Sequence, residues 1–292
     1  MADRLGRIKI IEDTLRACKD NTRLKESVTQ SISRQVIYWE DDEAQNLKME
    51  KCIDQISTHD DYTSYLISTD RTFEAAARYT NEEKKIAVLN FASSVTPGGG
   101  VLRGTTAQEE SLCRISTLYP CLIDEKTATP FYDKHRKLIR SYEMGRENRD
   151  DCIYTPDVTV FRRDTFDCEM MDEEEWYTVD VITCAAPDLR YDVTGKRFDP
   201  TDDELLEIFE KRWKKIFRVA ICNNVKILIL GAFGCGAFGN SSDLVAKAAN
   251  SVRSLYNKAD MLETVEFAIY ESSSKGANYM GFRNNIKGLI EI

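Results

Sequence analysis

Histidine is almost missing from this sequence: 292 residues contain two, His59 and His135. That scarcity makes most Ser-His-Asp, Cys-His and histidine-ligated metal chemistries improbable. Both histidines lie in charged segments and read as surface residues. Long apolar runs are lacking too. The longest uncharged one, Ile227–Phe238, is interrupted by three glycines and falls far short of the roughly 20 residues a membrane span needs. The N-terminus has no signal-peptide apolar core, so no membrane partner is expected. Nor is there an excess of positive charge. Forty Lys and Arg stand against 49 Asp and Glu, a formal charge of -9, which argues against a general nucleic-acid-binding face. An anionic ligand must then be held by backbone amides and helix N-termini. Cysteine is not scarce, but pairing is: the nine form an odd count, no two lie closer than eight positions, and there is no CxxC. Reduced, buried thiols in a cytoplasmic setting (or a nucleus, in a eukaryote) are expected, with no structural zinc and no cofactor.

What is present suits a globular chain: 42% hydrophobic and 30% charged residues, enough for one large domain or two small ones. Residues 1–57 are charged and helix-friendly, with Ile8, Ile11, Leu15 and then Val36, Ile37 and Trp39 suggesting amphipathic helices. They read as an N-terminal helical extension packed on a catalytic domain spanning 58–292. Strand patterns follow at Tyr62–Ile67, Ile86–Phe91, Asp157–Arg162, Thr178–Ala185, Lys226–Leu230 and Val265–Tyr270. Helical patterns fall at Thr72–Tyr79, Asp203–Ala220 and Ser242–Tyr256. Several strands are apolar on both faces, which predicts an α/β fold with three layers. The charged region 124–175 reads as an insertion of loops and short helices.

Two glycine loops each follow an apolar strand. The first runs from Asn90 through Pro97-Gly-Gly-Gly100 to Gly104, and is followed by Gln108-Glu-Glu110. Three glycines let a ligand approach the backbone. Thr106 with Glu109 three positions later has the form of a capping box and predicts a helix start. Glu109 and Glu110 then diverge by roughly 100° around the helix, too far to flank one bond from opposite faces, so the two must have different tasks. The second loop, Gly231-Ala-Phe-Gly-Cys-Gly-Ala-Phe-Gly239, precedes a helix that Asn240, Ser241 or Ser242 can cap. It forms a diphosphate cradle, with Phe233 and Phe238 free to stack on a sugar or base. Gly234–Gly239 satisfies GxGxxG, but too little chain follows for a nicotinamide-binding half.

These residues resemble the poly(ADP-ribose) glycohydrolases of the compact bacterial and fungal type. Pro97-Gly-Gly-Gly100 with Gln108-Glu-Glu110 carries the resemblance. Val88-Leu-Asn-Phe-Ala-Ser93, Glu110-Ser-Leu-Cys-Arg114, Tyr154-Thr-Pro-Asp-Val158, Ala185-Ala-Pro187 and Leu230–Gly239 add to it in order. The resemblance implies a macrodomain-like α/β/α fold with a mixed central sheet, binding ADP-ribose above the strand ends. It implies Glu110 as catalytic acid/base and Glu109 as the residue that fixes the distal ribose. Gly98, Gly99 and Gly100 on one side, and Gly234, Cys235, Gly236, Ala237 and Phe238 on the other, would grip the diphosphate. Gln108 and Asn90 are further candidate substrate contacts. Two departures, Val95-Thr96 before the glycines and Phe233 in the late loop, bear on polymer preference more than on chemistry.

The implied activity is hydrolysis of ribose–ribose bonds in poly(ADP-ribose), with ADP-ribosylated proteins as partners. The alternatives are a macrodomain that binds ADP-ribose without cutting it, and a hydrolase of ADP-ribose attached directly to protein or nucleic acid.

Overall fold

The computed structural model describes residues 3–56, 61–126, 128–192, 194–271 and 276–292. Among these residues eight strands are formed: β1 (Val36–Tyr38), β2 (Ser64–Ser68), β3 (Ile86–Phe91), β4 (Cys152–Val160), β5 (Tyr177–Cys184), β6 (Ile227–Leu230), β7 (Thr264–Ala268) and β8 (Ile290–Glu291). They make one sheet in the order β1-β4-β5-β3-β6-β7-β2-β8. It is mixed: β1 and β5 run antiparallel to β4, whereas the pairings from β5 across to β8 are parallel.

β3 shows why the sheet is covered on both sides. Ala87 and Leu89 join one core cluster, Ile86 and Val88 another, so neither face can meet water. The first face is covered by α3 (Glu43–Asp54), α8 (Asp202–Cys222), α9 (Ser242–Arg253) and α10 (Ala277–Asn285). The second is covered by α1 (Arg4–Asp20), α4 (Thr72–Ala77), α5 (Gln108–Ile115), α6 (Leu118–Leu122) and α7 (Ala128–Arg140). On α2 (Thr22–Arg34), Leu24 packs with Cys18 and Phe161. Because β2, β3, β5, β6 and β7 are parallel, the segments leaving them all emerge at one edge, where open α/β sheets take their ligands.

The structure revises three expectations. Val36 and Ile37 form a strand, paired with Tyr154 and Ile153, and not a helix. The expected boundary at 57/58 falls on residues outside those described, and β1, which precedes it, is hydrogen-bonded into the same sheet as the strands that follow. The region 124–175 is also more regular than an insertion, because it contains the 13-residue α7 and the nine-residue β4. Third, His135 is buried, on the inner face of α7 with Phe131 and Tyr132. His59 lies outside the described residues. No described helix is long and apolar enough to cross a membrane.

Candidate active site

The segment after β3 turns sharply through Gly98 and Gly99, both in the left-handed region at φ 65° and 57°. A side chain is disfavoured there, and a Cβ on Gly99 would sit 2.5 Å from Glu110 Oε1 and 3.1 Å from Glu109 Oε2. The turn presents its amides to the two acids. Ser93 N–H donates to Glu109 Oε2 at 2.8 Å and Gly98 N–H to Oε1 at 3.2 Å. Gly100 N–H donates to Glu110 Oε1 at 2.8 Å. Among the described residues, Glu110 Oε2 has no hydrogen-bond partner. Both side chains are buried, at 3% and 7% exposure. Burial, with the neighbouring Glu110 charge adding to it, pushes the Glu109 carboxyl up to about 8, against the pull of the Ser93 and Gly98 amides and the Asn90 side chain. Glu109 therefore keeps its proton at neutral pH.

The acids line a cleft of about 960 Å³. The second glycine loop forms its far wall: Gly234, Gly236, Ala237 and Phe238 line it. Asn240 anchors this loop by donating to the Pro187 and Gly234 carbonyls. Among the described residues, the amides of Gly236, Ala237 and Phe238 donate to no protein acceptor, which suits them to an anionic ligand. Arg7, Arg71, Arg103, Arg114 and Arg190 also border the cleft, a local positive setting in a chain of net charge -9. Among the described residues, no group of three or more His, Cys, Asp or Glu is placed to hold a metal ion.

A family model described as "Microbial-type PARG, catalytic domain" matches residues 7–163, more than half of the chain. The chain belongs to the microbial-type PARG family. Solved structures agree across almost its whole length. Poly(ADP-ribose) glycohydrolase from Thermomonospora curvata is similar at 26% identity and a TM-score of 0.78, over 97% of this chain and 100% of that one. The same enzyme bound to the inhibitor ADP-HPD gives 25% and 0.75, over 96% and 99%. The Deinococcus radiodurans enzyme in complex with ADP-ribose gives 26% and 0.75, over 88% and 96%. No curated protein sequence matches the chain.

Within this PARG architecture several of the expected site residues also bond to the protein itself. The Gln108 amide is fully engaged inside the protein: Oε1 accepts from Phe91 N–H, while Nε2 donates to Thr72 Oγ1 and the Leu89 carbonyl. These bonds pin α5 to the end of β3, and the residue also lines the cleft. Asn90 is wholly buried, donates to Thr183 Oγ1 and lies beside Glu109. The capping box does not form. The N-cap is Ala107, without a side-chain cap. Phe233 is a core residue against Phe91 and Trp213, whereas Phe238 reaches the cleft beneath Arg190. The Cys235 thiol donates weakly to the Phe233 carbonyl.

Sequence reasoning missed one group altogether. At the end of the cleft beyond β2 and β7, Arg71 lies over the rings of Phe166 and Tyr270, at 4.4 and 4.3 Å from their centroids. Both rings are about half exposed, and Asp164 supports Arg71 from beneath. Tyr270 follows a parallel strand that the sequence pattern had found, so the rule that ligands bind at strand ends pointed to it. Phe166 sits in a charged stretch with no such signal.

Proposed function

We propose that the protein hydrolyses the ribose–ribose O-glycosidic bonds of poly(ADP-ribose), carried on ADP-ribosylated proteins, and releases ADP-ribose. The observation that carries the reading is the asymmetry of the two acids. Glu109 is gripped at both oxygens by loop amides, while Glu110 is gripped at one and keeps Oε2 unpartnered beside the cleft. A protein that only binds ADP-ribose has no need of that second, half-free acid.

In this reading the unengaged amides of the late loop, opposite the turn at Gly98–Gly100, receive the diphosphate. Phe238 packs on the ligand, and Phe166 and Tyr270 offer a stacking surface for the base. Glu110 hands a proton to the leaving 2′-oxygen as the anomeric carbon–oxygen bond breaks. Its carboxylate then takes a proton from the water that attacks the oxocarbenium-like carbon, which restores the acid. The diphosphate stabilises the developing positive charge. Glu109, fixed by Ser93 and Gly98, is placed to hold the distal ribose. Incubation of purified protein with automodified polymer tests the reading. ADP-ribose is the expected product, and intact polymer after saturating enzyme would overturn it.

A further inference from the structure

The site as described does not use α7, yet two consecutive residues of that helix hold the back of the first glycine loop. His135, 1% exposed, meets oxygen at both ring nitrogens. Nδ1 lies 3.0 Å from the Ser94 carbonyl and Nε2 2.8 Å from Asp151 Oδ2. Arg136 donates from Nη1 to the Val95 carbonyl at 2.6 Å, and from Nη2 to Asp133. On the same loop, the Ser93, Gly98 and Gly100 amides orient Glu109 and Glu110. The carbonyls gripped by α7 follow directly on the amide that holds Glu109.

A backbone carbonyl can only accept, and so can an ionised carboxylate. Burial works to raise the Asp151 carboxyl, but apart from the ring itself Asp151 also accepts from the Glu40 amide and is paired with Arg149, contacts that favour its ionised form and help hold it below its ordinary value. A neutral imidazole would turn a lone pair toward one of these two oxygens at hydrogen-bonding distance. Only a ring protonated at both nitrogens satisfies both. We infer that His135 is carried as a buried imidazolium and, with Arg136, is a positioning residue that fixes the loop amides on Glu109 and Glu110.

The charged surroundings fit that assignment. Asp151 faces the ring directly. Arg149 stands behind it, paired with Asp151, Glu40 and Asp41. On α7 itself Lys134 is bound to Asp41, and Arg136 reaches to the loop; beyond the loop backbone lies Glu109. On an apolar side, the Phe131 ring lies 4.2 Å from the imidazole and stacks on Trp39. Through Trp39, Glu40 and Asp41, the segment after β1 is tied to the catalytic loop.

The inference rests on Glu110 being the acid/base, and the test separates the two. Replacing His59 (His59→Gln) leaves His135 as the sole histidine, so its ring can be followed by NMR in protein labelled with ¹⁵N-histidine. Both ring nitrogens are expected to carry protons at neutral pH. A bare nitrogen there overturns the imidazolium. His135→Gln, which can satisfy only one of the two oxygens with a neutral donor, is expected to lower kcat by about 10- to 10²-fold, the scale of a small misplacement of a catalytic group. KM and ADP-ribose affinity should change much less. Arg136→Met should lower kcat in the same way, and Arg136→Lys, which keeps one charged donor toward Val95, should restore it. Wild-type kcat in His135→Gln or in Arg136→Met overturns the positioning role. If His135→Gln does not fold, the ring spectrum and the Arg136 pair still decide. A wild-type protein that cleaves no polymer overturns the function and the positioning role together, whereas active wild type with unaffected variants overturns the positioning role alone.

Discussion

Glu109 and Glu110 leave the first turn of α5 about 100° apart around the helix axis and still converge on one residue, Gly99. The loop comes to them: three amides within eight residues of chain hold three of the four carboxylate oxygens. The divergence that the helical wheel predicts is undone by a turn only glycine tolerates. Adjacent acids thus share one surface while differing in freedom, and the first two predictions follow from that difference.

Glu110→Gln keeps the shape and the hydrogen bond from Gly100 but cannot supply a proton. General acid–base catalysis contributes about 10²–10⁴-fold, so turnover should fall by that range while ADP-ribose affinity stays close to wild type. Single-turnover rates on polymer and calorimetric titration with ADP-ribose check the two halves. Near-normal cleavage by this variant would remove Glu110 from its role.

Gly99→Ala should abolish cleavage through geometry alone. The added Cβ would lie 2.5 Å from Glu110 Oε1, and the left-handed backbone adds about 1–2 kcal/mol of strain. Gly236→Ala is the contrast, because nothing lies within 4 Å of a Cβ there. It should melt as wild type does while binding ADP-ribose more weakly, since the new methyl lies beside the amides expected to receive phosphate. Thermal melts and ligand titrations of both variants distinguish a strained loop from a crowded cleft.

The central strands and both glycine loops were legible in the sequence because an apolar run covered on both faces is followed each time by a glycine-rich loop. Three features were not. Val36–Tyr38 is a three-residue edge strand in charged surroundings, too short for a period to show. β4 is interrupted by Pro156 and Asp157; its register with β5 shifts between Thr155 and Val158, and Asp157 has a positive φ, so its pattern breaks in the middle. His135 looked exposed because Asp133, Lys134, Arg136 and Lys137 surround it in the chain, but helical spacing puts it on one face with Phe131 and Tyr132. At the site, residue types pointed to the two acids that the loop amides hold. They could not show that the polar atoms of Gln108 and Asn90 turn inward, because that depends on how α5 meets β3.

Stability should carry the signature of Glu109. Its carboxyl stands near 8 in the folded chain against an ordinary value of 4.5. A group raised on folding contributes stability that is fully present below the unfolded value and is lost as pH rises through the folded one. The melting temperature of the wild type relative to Glu109→Gln, which does not titrate, should therefore decline between about pH 4.5 and 8 and level off above. Melts in a buffer series give the curve. A difference independent of pH would mean that Glu109 is not raised on folding.

Two phenylalanines of one loop should separate folding from binding. Phe233 is wholly buried, its ring 5.6 Å from those of Phe91 and Trp213. Truncating such a side chain to alanine removes apolar contact and leaves a cavity, typically about 3–5 kcal/mol. Phe238, five residues on, is only partly buried and packs beneath Arg190 at the cleft wall. Its loss removes a stacking surface that contributes about 0.5–1.5 kcal/mol, and it opens no core cavity. Phe233→Ala should thus unfold at much lower denaturant, while Phe238→Ala should unfold near wild type and bind ADP-ribose several-fold more weakly. Denaturant titrations and calorimetry on both variants decide it. Equal loss of stability in the two would mean that Phe238 anchors the loop in the core, and an unchanged affinity in Phe238→Ala would place the ligand away from this wall.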